Sequence, residues 1–248
     1  MQIINWLPLF STIVTFVFAF FVLRRWWSRR PANHLLLWGL GLVLYGLGTF
    51  SEFYSAQAWS PTIFRLWYLC GAILTAAWLG QGTVYLLVRR PYVAHVLMAI
   101  LLLGSLFAVL MLWSTPLPGA GTFSTGVSLS DQYKGILPEG ARVRLLTPFF
   151  NIYGVITLVG GAIYSAFLFW RKRILPNRVL GNVFIALGAL SPAIGGTLAR
   201  LGTTGLLYGS ELIGAILMFI GFQLAVTKNT EHRVVPLDRR VEAVIRDP

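Results

Sequence analysis

Seven apolar stretches, each about as long as a bilayer core is thick, constrain this chain more than any other feature. Short clusters rich in Arg and Lys separate them. An α-helix rises ~1.5 Å per residue, so ~20 apolar residues span the ~30 Å hydrocarbon layer. The qualifying segments are Ile4–Leu23, His34–Tyr54, Ile63–Leu87, Val93–Trp113, Pro148–Trp170, Arg178–Leu201 and Leu206–Val226. They predict an all-α integral membrane protein, a seven-transmembrane-helix bundle forming a single domain over residues 1–248.

Composition excludes a soluble alternative. Only 11% of the residues are charged, against 56% hydrophobic, whereas a soluble domain carries about a quarter charged residues. A net charge of +12 raises the question of nucleic acid. The basic residues, however, sit in short clusters between apolar runs, which is a topology signal rather than a binding face, so no nucleic-acid partner is expected.

The same clusters orient the chain. With seven crossings, one side collects Arg24, Arg25, Arg29, Arg30, Arg89, Arg90, Arg171, Lys172, Arg173, Arg178, Lys228, Arg233, Arg239, Arg240 and Arg246. The other keeps Arg65, Lys134, Arg142, Arg144 and Arg200. Basic loops stay in the cytoplasm, which places the N-terminus outside and the C-terminus inside a cell membrane. No positive region precedes the first segment, so it reads as a retained helix rather than a cleaved signal. The outer loop Ser114–Thr147 is long enough to be either a lid or a slack connector. The cytoplasmic tail 227–248 is short, and its Val234–Ile245 stretch reads as a surface amphipathic segment or a solvated tail.

An internal repeat is visible. A shift of 140 positions lays Leu40, Gly41, Val43, Leu47, Gly48 and Ser51 on Leu180, Gly181, Val183, Leu187, Gly188 and Ser191. A shift of 143 lays Leu69–Leu74 on Leu212–Leu217, with five of six residues identical. Both triplets start on the same side, so the expected plan is a 3+1+3 parallel repeat, with the fourth helix as linker. The plan resembles that of sugar-transporting seven-helix proteins, microbial rhodopsins and some seven-helix sensor regions. The resemblance stops at the plan. The Pro-Gln pair of the PQ-loop transporters is absent, and the seventh segment has no lysine for a retinal Schiff base.

Polar groups inside a membrane are costly and are the best pointers to function. Glu52 ends the second segment and Glu211 lies five residues into the seventh, at a similar depth to Arg65 and Arg200. Tyr68 and Tyr208 share that outer layer, with Tyr54, Trp67, Ser210, Asn151 and Tyr153. One reading is an outward-facing ligand pocket in which Glu211 and Glu52 face Arg65 and Arg200, with Tyr68 and Tyr208 on its wall. The other is structural: the charges reach headgroups and Glu211 is neutralised by an arginine. The sixth segment, with Asn182, Ser191 and Pro192, is expected to face the bundle interior.

No Ser/His/Asp arrangement, metal-ligand spacing or nucleotide loop appears, and the only cysteine is Cys70. No enzymatic activity, metal or cofactor is expected. The expected function is sensory or small-ligand binding, reporting to a separate cytoplasmic protein partner. A small-solute transporter of two three-helix halves and an accessory subunit of a membrane complex are the alternatives.

Overall fold

The structure, a computed structural model, describes residues 3–138, 140–173, 176–200 and 206–227. Every regular element among them is helical. In chain order they are α1 (Leu7–Ser28), α2 (Asn33–Ser55), α3 (Pro61–Leu87), α4 (Pro91–Ser114), the short α5 (Leu129–Ile136), α6 (Arg142–Arg171), α7 (Pro176–Arg200) and α8 (Leu206–Val226). All but α5 are long and apolar enough to cross a membrane. Their outer faces carry exposed apolar side chains such as Phe20, Leu103, Phe149 and Ile156, as a lipid solvent requires.

Helix ends follow local chemistry. Helix α1 runs past Leu23 through Arg24 and Arg25, and Arg30 lays its guanidinium on the Trp26 and Trp27 rings at 4.3 and 3.8 Å. Long basic side chains of this kind keep their heads at an interface while their stems cover apolar surface. Helix α3 starts where Ser60 Oγ accepts from the Ile63 amide at 3.4 Å and Pro61 takes the first turn.

Two π-helical turns interrupt the ordinary ladder, at Tyr68–Leu74 in α3 and Val155–Val159 in α6. In the first, Thr75 sends both its amide and its hydroxyl to Cys70 O. Such insertions open the backbone locally and are frequent beside functional sites.

Six of the long helices close a ring. Helix α1 packs on α2, α2 on α3, α3 on α6, α6 on α7, α7 on α8 and α8 back on α1. Helix α4 lies outside, against α3. Glycines set the tightest crossings. A Cβ on Gly214 would stand 2.6 Å from Gly188 O, and one on Gly221 would stand 2.6 Å from Gly181 O. In α2 and α3, a Cβ on Gly48 would meet Gly71 Cα at 3.0 Å. Without a hydrophobic force between helices in lipid, such backbone approach supplies the packing.

Helices α2 and α3, rather than α7, are the most enclosed. The polar residues of α7 are satisfied without deep burial. Asn182 Nδ2 donates to Arg178 O one turn back at 2.8 Å, and Ser191 Oγ donates to Ser210 O of α8 at 2.7 Å.

The 114–147 connection is a folded cap, so of its two readings the lid describes its packing. A 3₁₀ turn (Pro118–Thr122), α5 and a second 3₁₀ turn (Arg142–Leu145) follow one another. Leu129, Ile136, Leu137 and Val143 are fully buried, in one cluster with Phe64, Trp67, Tyr68 and Leu112. The tail stretch Val234–Ile245 lies outside the described residues.

Candidate functional site

The ring encloses a cavity of about 600 Å³ towards its loop-bearing end, within the ordinary range for small-molecule sites. Its floor is apolar: Leu79, Leu158 and Met218, with Tyr45, belong to the cluster that seals the basic end of the bundle. Its roof comes from the cap, through Ser130 and Tyr133 of α5 and Arg144 beside it. Both π turns contribute wall, Gly71 and Ala72 on one side and Val155 and Leu158 on the other. Asn151 ties the two helices together, donating from Nδ2 to Ala72 O and to Thr147 O, each at 2.8 Å.

Two carboxyl groups meet in this cavity. Glu52 lies three residues before the end of α2, and Glu211 five residues after the start of α8. Their side chains are within hydrogen-bond reach of each other. Glu52 is 1% exposed, and its Oε1 accepts from Trp67 Nε1 at 2.9 Å. Glu52 Oε2 and Glu211 Oε2 are both buried and meet no donor among the described residues. Two carboxyls in contact form a hydrogen bond only when one carries a proton, and a cation between them is the other way to offset their repulsion. Tyr45 steadies the Glu211 backbone by donating to its carbonyl at 2.8 Å.

The six residues singled out in the sequence separate. Glu52, Glu211 and Tyr68 line the cavity together, and Tyr68 pairs its hydroxyl with Thr147 Oγ1 at 3.2 Å. Tyr208 is buried and reaches the Ser128 side chain and the Leu129 backbone, joining α8 to the cap rather than facing the cavity. Arg65 turns away. Its Nε and Nη2 donate to Leu112 O and Thr115 O at 3.3 and 3.1 Å, satisfying carbonyls at the end of α4. Arg200 ends α7, and its side chain lies outside the described residues. Among the described residues no ion pair reaches Glu211, and no group of three His, Cys, Asp or Glu side chains is placed to hold a metal.

No protein-family model, curated protein or solved structure matches this chain.

Of the other outer-layer residues, Trp67 and Asn151 also line the cavity, whereas Tyr153 donates to Gln81 Oε1 deeper in the bundle. Among the wall residues not anticipated as site residues are Tyr133 and Arg144 of the cap. The signal for Tyr133 is the short amphipathic spacing Leu129, Tyr133, Ile136 and Leu137, which gives the loop helix one apolar face. Arg144 stands 5.5 Å from the Tyr133 ring, and its Nη1 is buried without a hydrogen-bond partner.

Proposed function

We propose that this chain is a small-ligand-binding protein of the cell membrane whose central cavity takes a ligand with a cationic group. The carrying observation is the Glu52–Glu211 pair, two carboxyls in contact with no basic partner among the described residues. A cation competes with the proton for such a pair, and the aromatic wall of Trp67, Tyr68 and Tyr133 suits an ammonium group. In this reading the protein is not an enzyme. The basic clusters hold α1–α2, α3–α4, α6–α7 and the tail in the cytoplasm, so the capped cavity faces outward. Ligand binding then biases the ring, and a separate cytoplasmic protein reads the change.

The test is binding of a simple alkylamine over a pH series, in micelles of a neutral detergent. If one proton leaves for each amine bound, affinity rises with pH by up to about tenfold per unit. Glu211→Gln should weaken binding and flatten this dependence. Amine binding that is indifferent to both Glu52→Gln and Glu211→Gln removes the carboxyl pair from the site.

A proton-coupled transporter is the second reading, and the arrangement of the ring favours it. The shifts of 140 and 143 positions pair Gly48 with Gly188 and Gly71 with Gly214. Gly48 packs on Gly71 as Gly188 packs on Gly214. The same shifts pair Thr49 with Ala189, Glu52 with Pro192, Tyr68 with Glu211 and Thr75 with Met218, and all eight residues line the cavity. The first helix of each triplet also packs on the last helix of the other, α1 on α8 and α6 on α3. These correspondences support a parallel duplication with its two-fold axis through the cavity. Amine uptake into proteoliposomes, driven by a pH gradient and lost in Glu211→Gln, would select transport over sensing.

A further inference from the structure

The cavity has a second pole that the carboxyl pair does not use. Arg144 lies on its wall, and its Nη1 is buried with no acceptor. A buried guanidinium nitrogen left unpaired is costly, and an arginine fork fits an anionic oxyacid group. Nearby donors are committed: Asn151 Nδ2 is taken up by Ala72 O and Thr147 O. No ion pair joins Arg144 to Glu52 or Glu211 among the described residues. The cavity therefore offers an acidic pole from α2 and α8, and a basic pole from the cap.

The wall between these poles is incomplete on one side. Helix α6 packs on α7 through its stretch Val155–Arg171, whereas Leu146–Gly154 makes its contacts with α3. Among the described residues α6 and α7 thus part towards the loop-bearing end, where the cap helix α5 packs on α7 instead. The cavity-lining residues Pro148 of α6 and Ala193 and Thr197 of α7 are solvent-exposed there, next to Phe149 and Ile194 on the exposed apolar surface. That surface faces lipid in a membrane, so the gap opens laterally into one leaflet.

We infer that the cavity takes a zwitterionic amphiphile, with its ammonium at Glu52 and Glu211, its anionic group at Arg144 and its chain leaving between α6 and α7. This rests on the carboxyl-pair reading above and adds the anionic pole and the lateral route. The apolar floor of Leu79, Leu158 and Met218 closes the cavity below, and the gap offers a chain an exit among the described residues.

The test compares four probes by calorimetry on the full chain in maltoside micelles: a dodecyl phosphoethanolamine, dodecylamine, dodecyl phosphate and phosphoethanolamine without a chain. The dodecyl phosphoethanolamine should bind at least about tenfold more tightly than dodecylamine, the worth of one charge-assisted hydrogen-bonded contact. Arg144→Gln should erase that advantage, weakening the dodecyl phosphoethanolamine at least about tenfold more than dodecylamine, and Arg144→Lys should restore part of it. Ala193→Trp, at an exposed position in the gap, should weaken the chain-bearing probes by more than it weakens chainless phosphoethanolamine.

Equal affinity of the zwitterion and the amine overturns the anionic pole, as does an Arg144→Gln variant that weakens both alike. Chainless phosphoethanolamine binding as tightly as its dodecyl form overturns the lateral route and assigns the head group to an aqueous source. If dodecylamine itself fails to bind, the carboxyl-pair reading falls, which is distinct from an amine that binds without help from Arg144.

Discussion

Trp67 Nε1 donates to Glu52 Oε1 at 2.9 Å, while Glu52 Oε2 meets no donor among the described residues. The donor comes from α3 and the acceptor from α2, while Glu211 belongs to α8, so three helices determine one geometry. Trp67→Phe keeps most of the ring packing and deletes the donor. The expected outcome is a loss of about 1–3 kcal/mol in stability, the range for a hydrogen bond to an acidic group, together with weaker amine binding. Thermal unfolding and alkylamine titration of the same preparation check both. Unchanged amine affinity would mean that Glu52 is held by packing alone.

The seven crossings were legible because hydrophobicity is a local property of about twenty residues and needs no partner. The layer containing the site was legible too, since helical rise gives depth along the axis. Azimuth was not. Arg65 shares a depth with Glu52, but two to three residues before Trp67 and Tyr68 on a 3.6-residue helix it points elsewhere, onto the end of α4. Among the described residues Arg65 does not meet Glu52, and Glu52 meets Glu211 instead, because which helices face across the ring is a tertiary outcome. Arg144 was counted for topology and missed for chemistry, since its place on the cavity wall depends on how the 114–147 cap folds back.

The glycine crossings separate packing from flexibility. In α8, a Cβ on Gly214 meets Gly188 O at 2.6 Å and Pro192 Cδ at 3.0 Å, whereas a Cβ on Gly160 of α6 meets nothing within 4 Å. Gly214→Ala should therefore lower stability by about 1–3 kcal/mol through overpacking against backbone. Gly160→Ala should be neutral or slightly stabilising, since it removes chain entropy without a clash. Thermal unfolding of the two variants side by side decides this. Equal midpoints would show that the α7–α8 contact relaxes freely.

Asp131, in the cap outside the membrane-spanning helices, titrates above its ordinary value of 3.8 because burial disfavours the charged form, with a Ser130 hydrogen bond opposing. A raised carboxyl favours the folded cap fully below pH 3.8, and this contribution is lost as pH rises through the folded value. Amide exchange of Leu129–Ile136, corrected for intrinsic rates, should then show protection falling across the acid range and levelling above it. The change should stay under about 1 kcal/mol, because the carboxyl is partly solvated. Asp131→Asn should abolish the dependence. A dependence that survives this substitution belongs to another group.

Orientation can be read with a single reactive thiol, because Cys70 is the only cysteine and is buried. In a Cys70→Ala background, Thr125→Cys places a thiol on the exposed cap and Ser28→Cys places one at the exposed basic end. A membrane-impermeant maleimide on intact cells should label Thr125→Cys alone, and Ser28→Cys only after permeabilisation. The reverse pattern would put the cap and its cavity in the cytoplasm, against the distribution of arginines.

The cap itself should be held by its apolar side chains. Ile136 and Leu137 are fully buried against Phe64, Leu112 and Val143, and α5 has only two turns of its own. A helix this short is not stable without tertiary contacts. Ile136→Ala removes three methyl or methylene groups from a filled site, a change that costs about 2–5 kcal/mol in well-packed cores. That is enough to undock a local element whose opening energy lies below that of the whole bundle. Trypsin should then cut at Lys134, Arg142 and Arg144 in the variant while sparing them in the parent chain, with α1–α4, α7, α8 and the part of α6 from Leu146 onward intact in both. Alkylamine affinity should fall in parallel, because the aromatic ring of Tyr133 leaves the cavity wall when the cap opens. Cutting without any loss of binding would show that the ligand sits wholly on the helices and that the cap only covers it.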